Sequence, residues 1–318
     1  MHNRFSLGHY SDAPPSAAYD KHKEATHMPK FIAEREHRTF TDDYGVVVHY
    51  YVWSPGKPRG VVQIAHGVGE HALRYEVLAQ ELVNSGYVVY ADDHRGHGQT
   101  GVEYWEGDLS KIGKLGVGGL RATQQNLLDL AELARIDHPE LRFALIGHSW
   151  GSLMAQNLLN ESAVPWDAVV LTGTAYRTPL AMNGGDLNAR HKHLGTTGAE
   201  WLSRDPEVAA AFVADPLTTD AAVLQLFGVR DGLRLYGTPK RMARPLPLLI
   251  MVGDDDPLGG EKSAKKLADA YLSTGGLSDV ELIVYEGARH EVFNETNQED
   301  VRADLIAWLD DRLFSGQE

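Results

Sequence analysis

The chain contains no cysteine. That absence excludes disulfides, thiolate zinc sites, iron–sulfur clusters and any cysteine nucleophile, leaving Ser, Thr, Asp, Lys or His for covalent chemistry. Positive charge is also scarce, with 30 Lys and Arg against 44 Asp and Glu and a net charge of −14. An excess of that sign argues against nucleic acid as a partner and against electrostatic docking on anionic lipid. No run of about 18 uncharged apolar residues is present, so stable membrane insertion is not expected. Nor does Met1 to Lys30 hold an apolar export core, which points to a cytoplasmic protein. Residues 1–30 carry Pro14-Pro15, several Ser, Asp and His, and little apolar periodicity. They read as a loose N-terminal arm. His27-Met28 reads either as a cloning junction, with a natural start near Met28, or as part of a genuine arm packed on the core.

What the chain does have is an ordinary globular composition, 43% hydrophobic and 23% charged over 318 residues. His37 to Asp42 and Val46 to Trp53 flank a turn signal, Asp43-Tyr44-Gly45, and predict a hairpin. From there strands and helices alternate. Short apolar runs at Val61–Ala65, Tyr87–Ala91, Arg142–Ile146, Ala168–Leu171, Leu246–Val252 and Val280–Tyr285 predict buried strands. Helical spacing fills His71–Asn84, Leu120–Arg135, Ser152–Leu159, Glu261–Tyr271 and Asn297–Leu313. The expected class is α/β, a mainly parallel sheet covered by helices on both faces. Between about Ala175 and Lys240 the alternation stops. About sixty residues there far exceed the usual connection of about 2–6, and they hold only short helical fragments such as Pro206 to Val213. Residues 31–175 and 241–318 therefore form the core, and 176–240 an inserted helical cap over the carboxyl edge of the sheet.

Gly147-His148-Ser149-Trp150-Gly151 follows the strand RFALI and precedes a helix. In that context G-x-S-x-G is a nucleophile elbow. The sharp turn exposes the Ser149 hydroxyl, the glycines allow close backbone approach, and the helix N-terminus faces the space where an oxyanion would form. A serine needs a histidine base held by a carboxylate, in the chain order Ser, acid, His. After Ser149 the histidines are His191, His193 and His290. The first two sit in the cap as a solvated basic patch, whereas His290 follows the last strand, which makes it the base. The acid lies in Gly253-Asp254-Asp255-Asp256-Pro257. Spacing favours Asp256, because Pro257 fixes the chain beyond it, but Asp254 and Asp255 compete. The two that do not serve should face solvent or cap the next helix. A calcium or magnesium site here lacks the alternating ligand spacing. His66-Gly67-Val68 after the Val61 strand supplies the other oxyanion donor, so the donors are the backbone N–H groups of Val68 and Trp150. His66 and His71 are expected to be structural rather than metal ligands. No cofactor is expected.

Five pieces then recur in order over residues 37 to 314: His66-Gly67-Val68-Gly69-Glu70-His71 with Arg74-Tyr75; Asp93-His94-Arg95-Gly96-His97-Gly98; the elbow; the Asp254 to Pro257 loop; and Tyr285-Glu286-Gly287-Ala288-Arg289-His290-Glu291. Together they resemble the α/β-hydrolase superfamily, in its monoacylglycerol lipase/lysophospholipase-like branch. The resemblance implies Ser149 as nucleophile, Asp256 as acid, His290 as base and Val68 and Trp150 as oxyanion donors. It implies an architectural role for the Asp93 to Gly98 turn, His94 and His97 included. It also implies hydrolysis of carboxylic esters through an acyl-enzyme. The rivals are other acyl chemistry on the same triad (peptidase, thioesterase, acyltransferase or perhydrolase) and a non-catalytic ligand receptor. Two departures stand out: Trp150 where many relatives have Met, and Ser152 where they have a second Gly. The indole is expected to reshape the pocket wall and favour short or medium acyl chains.

Overall fold

The fold is read from a computed structural model that describes residues 2–6, 32–161 and 164–314. Nine strands form one sheet: β1 (His2–Ser6), β2 (Arg35–Thr41), β3 (Val47–Trp53), β4 (Gly60–Ala65), β5 (Tyr87–Asp92), β6 (Arg142–His148), β7 (Ala168–Thr172), β8 (Leu248–Gly253) and β9 (Val280–Tyr285). Their order is β1-β9-β8-β7-β6-β4-β5-β3-β2. The six strands from β9 to β5 run parallel. β3 joins β5 antiparallel and carries β2 as the expected hairpin. The opposite edge was not foreseen: β1, from the arm read as loose, pairs antiparallel with β9. The rest of that arm lies outside the described residues.

The interior strands owe their place to composition. GVVQIA, AVVLT and LLIMVG are buried at every position, as strands covered on both faces must be. The covering helices are α1 (Glu76–Asn84), α2 (Gly98–Tyr104), α3 (Gly119–Asp137), α4 (Trp150–Glu161), α5 (Pro206–Ala214), α6 (Val223–Arg234), α7 (Gly260–Ser273) and α8 (Gln298–Phe314). One apolar core, containing Leu127, Leu130, Leu158 and Leu267, lies under α3, α4 and α7. The other, containing Leu78, Leu82, Leu305 and Leu309, lies under α1 and α8.

Between β7 and β8 the chain leaves the sheet and builds α5 and α6. Asp205 accepts from the Glu207 N–H to start α5, with Pro206 in its first turn. This segment has a small core of its own around Trp201, Leu202 and Phe212. α6 is broken at Gly228, where φ is 77° and ψ 168°.

Candidate active site

The serine is set by the junction of β6 and α4. Ser149 stands at φ 49°, a left-handed conformation unusual for a residue with a side chain. The turn is tight enough that its glycines are obligatory. A Cβ on Gly151 would lie 2.2 Å from the Ala65 carbonyl oxygen, and one on Gly147 would lie 2.9 Å from that of Gly151. Two backbone bonds hold the elbow, Ser149 N–H to Thr172 O at 2.9 Å and Gly151 N–H to His66 O at 3.1 Å. Ser149 opens on a cavity of about 690 Å³, whose wall includes Val68, Trp150, Leu153, Met182, Leu235 and Leu258.

His290 arrives on the loop after β9 and Asp256 on the loop after β8, so adjacent parallel strands deliver both to the same edge. His290 Nδ1 lies 2.9 Å from Asp256 Oδ1, and both residues are buried. An ionised carboxylate only accepts. The proton therefore sits on Nδ1, and Nε2 carries the lone pair. Asp256 Oδ1 also accepts from the Leu258 N–H at 2.8 Å. Nε2 is buried without a hydrogen-bond partner. It belongs to a residue that shares a second, small cavity with Ser149, Gly67 and Val68. Burial alone would lower the His290 pKa. The charge and hydrogen bond of Asp256, with Glu291 and Glu70 beyond, outweigh it and raise the pKa above the ordinary histidine value.

The other two aspartates of the loop are elsewhere. Asp254 is exposed and accepts from the Gly287 N–H at 2.7 Å. Asp255 turns to the inserted segment, 2.8 Å from both His191 Nε2 and Arg190 Nη2. His191 is thus not part of a solvated patch; it is 2% exposed and paired, while His193 is exposed as expected. Neither spare aspartate caps α7, which begins behind Gly259 without a side-chain cap.

Val68 lines both cavities. The loop that carries it is pinned by a carboxylate: Glu70 Oε1 accepts from the Gly67 N–H at 2.6 Å and the Tyr75 hydroxyl at 2.8 Å. Arg74 Nη1 joins Glu70 and Glu291, each at 2.7 Å. Burial pushes the Glu291 carboxyl up, but Arg74 holds it well below the usual range. This network ties the loop after β4 to the residue next to His290. Sequence reasoning quoted Glu70, Arg74 and Glu291 as motif residues without assigning them work.

Trp150 departs from expectation. Its residue borders the cavity, but the indole is 1% exposed and lies 4.7 Å from Phe227, 5.1 Å from His97 and 5.3 Å from His94, ring centre to ring centre. The ring packs behind the elbow among these side chains. Two of the histidines around it have hydrogen-bond partners of their own: His94 Nδ1 pairs with Asp92 at 2.7 Å, and His66 Nε2 accepts from the His94 N–H at 2.9 Å; His71 pairs with Asp215 at 2.8 Å. No cluster of His, Asp and Glu among the described residues could hold a metal ion.

A family model described as "Serine aminopeptidase, S33" matches residues 56–297. The monoacylglycerol lipase of Mycolicibacterium smegmatis is 34% identical over 288 residues, 86% of this chain and 97% of that protein. The human monoglyceride lipase is 28% identical over 278 residues, 82% and 86% of the two chains. Among solved structures, a thermostable carboxyl esterase from Bacillus coagulans in complex with glycerol superposes with a TM-score of 0.71 at 24% identity, over 88% of this chain and 99% of that one. A soluble variant of the Saccharomyces cerevisiae monoglyceride lipase gives 0.68 at 20%, over 90% and 96%. With the sheet order, the elbow and this family match in hand, the chain belongs to the α/β-hydrolases of the serine aminopeptidase S33 family, among relatives named as monoacylglycerol lipases.

Proposed function

We propose that Ser149, His290 and Asp256 form the acyl-transfer triad of this carboxylic-ester hydrolase, and that monoacylglycerols or other small to medium-chain esters are its substrates. The observation that carries this reading is the strained Ser149 at the mouth of a cavity, beside a buried histidine whose Nδ1 is claimed by Asp256 and whose Nε2 is free. Substrate entry brings the Ser149 hydroxyl against Nε2, since such bonds often tighten only in the complex. Ser149 Oγ then adds to the ester carbonyl while its proton passes to Nε2. The new oxyanion takes the backbone N–H groups of Val68 and Trp150. Collapse breaks the ester C–O bond, and the leaving alcohol carries away the proton from Nε2. Water, deprotonated by His290, releases the acid in the same way.

Residues 176–240 serve in this reading as a cap, whose inner side supplies much of the cavity wall. The cavity volume falls within the roughly 300–1,000 Å³ of small-molecule sites. No described helix is long and apolar enough to cross a membrane. Peptidase chemistry on the same triad is less favoured, because relatives that this chain matches over most of their length are named as monoacylglycerol and monoglyceride lipases. The deciding experiment is turnover of p-nitrophenyl acetate, butyrate and octanoate by the protein and by Ser149→Ala. Wild-type turnover that is abolished in the variant, with a fluorophosphonate adduct on the Ser149 peptide, supports the assignment. An adduct on another serine, or an active variant, sinks it.

A further inference from the structure

Behind the elbow lies a line of buried polar groups that the proposed triad does not use. Ser152 Oγ is 2.6 Å from the Ser149 carbonyl oxygen and 2.9 Å from Thr174 Oγ1. Gln156 Nε2 lies 2.9 Å from the same Thr174 oxygen, and Arg177 Nε donates to Gln156 Oε1 at 2.9 Å. Ser152 and Thr174 have no exposed surface, and Gln156 and Arg177 are each 1% exposed.

The direction of the protons follows from valence. A carbonyl oxygen only accepts, so the single Ser152 proton goes to Ser149 O. The proton between the two hydroxyls is then that of Thr174. Gln156 donates into the Thr174 oxygen, and its own carbonyl accepts from Arg177. Every bond donates the same way, from the guanidinium to the nucleophile's carbonyl.

The source of the line is unusual. Arg177 forms no ion pair with a carboxylate among the described residues; Nη1 donates to Asn157 Oδ1 and, at 3.0 Å, to Leu235 O, and Nη2 is buried without a partner. Burial lowers its pKa to about 10. A buried cation with no counter-charge directs its field into whatever it touches.

The Ser149 carbonyl belongs to the same peptide group as the Trp150 N–H. Trp150 is the first residue of α4, and an N–H in the first turn of a helix has no intrahelical acceptor. We propose that Arg177, Gln156, Thr174 and Ser152 form a polarised relay that strengthens the Trp150 N–H as an oxyanion donor, Ser152 being the positioning residue that delivers it. Hydrogen bonding at one end of a peptide polarises the other, and aligned bonds reinforce one another. The inference rests on the proposed roles of Ser149 and Trp150.

Cooperative strengthening of about 10–30% per bond, applied to a donor worth about 10²–10³ in rate, gives a loss of about two- to eightfold when the relay is cut. Ser152→Ala removes the last bond, and Thr174→Val keeps that bond but severs it from Arg177. Each should lower kcat at unchanged KM, and weaken inhibition by phenylboronic acid, whose serine adduct places an oxygen in the oxyanion site, by the same factor as kcat/KM. A purely structural role would lower the unfolding midpoint or the active fraction and leave the inhibition constant of the remaining enzyme alone. Ser152→Gly removes the same hydroxyl and replaces Ser152→Ala if that variant fails to fold. Wild-type kcat and inhibition in both variants overturn the relay. So does an effect confined to Ser152, which would make it one local bond. Turnover surviving in Ser149→Ala would instead overturn the nucleophile on which the inference rests.

Discussion

Asp256→Asn isolates one term in the proposed mechanism, because the structure fixes which way the new amide must face. Asp256 Oδ1 accepts from both the Leu258 N–H and His290 Nδ1, while Oδ2 is buried and unpartnered. An asparagine therefore keeps its oxygen at the Oδ1 position and places its NH₂ where Oδ2 was. His290 retains its tautomer and loses its counter-charge. A carboxylate within about 4 Å of an imidazolium is worth about 4 kcal/mol at an effective dielectric of 20, and each 1.36 kcal/mol is tenfold in rate. The expected loss is about 10³ in kcat, smaller than the roughly 10⁴ seen where the substitution also flips the tautomer. A second signature follows from the histidine. With the carboxylate gone, burial dominates and the His290 pKa falls below its ordinary value. Asp256, Glu291 and Glu70 together raise the His290 pKa in the wild type, so the acid limb of the kcat/KM profile is expected above the usual histidine range there and should move strongly to lower pH in the variant. Asp254→Asn, on an exposed carboxylate, should stay within about twofold, since lone surface interactions are worth about 0–1 kcal/mol. Asp255→Asn, at a half-exposed pair with Arg190 and His191, should cost less than about tenfold. Steady-state profiles of the three variants decide the matter. If Asp255→Asn is the most damaging, or if the acid limb of Asp256→Asn stays in place, the loop assignment is wrong.

The parts of this molecule that could be read in advance are those whose cause is local. The runs VVQIA and LLIMV are apolar and rich in branched side chains, and they become interior parallel strands. The elbow is legible because two glycines, a serine and the flanking periodicities lie within one stretch. What escaped was decided at a distance. β1 finds its partner 283 residues away, at Tyr285 for His2, and such pairing leaves no periodic trace in five residues. α2 begins in His94-Arg95-Gly96-His97-Gly98, which reads as a turn. Its Gln99 N–H is capped by Asp93, which also accepts from Ala72 on another segment. α6 holds Gly228 and Gly232 and is indeed broken at the first. The Trp150 side chain is directed by His94 and His97 from a separate turn, so its sequence position beside the nucleophile says nothing about where the ring lies. His191 is buried by a carboxylate sixty-four residues on, and its basic neighbours hid that pairing.

Three further outcomes test the same reasoning. Glu291→Gln removes one of the negative groups that raise His290, so the acid limb of kcat/KM should shift to lower pH; a limb that stays or moves upward refutes that electrostatic account. Dialysis against EDTA should leave turnover unchanged, whereas activity lost and then restored by a divalent ion would make the Asp254 to Asp256 run an ion site. The last concerns chain length. In a cavity walled by Leu153, Leu235 and Leu258, each methylene that leaves water should gain about 0.8 kcal/mol, or about fourfold in kcat/KM, along a p-nitrophenyl ester series. The gain should stop where the chain emerges, at about eight carbons. Trp150→Met must leave that plateau where it is, because the indole packs on Phe227, His94 and His97. Its cost should appear instead as about 2 kcal/mol of stability from the void left in a packed core, read as a lower thermal midpoint. A plateau displaced to longer chains at an unchanged midpoint would mean that the indole is a wall of the acyl site after all.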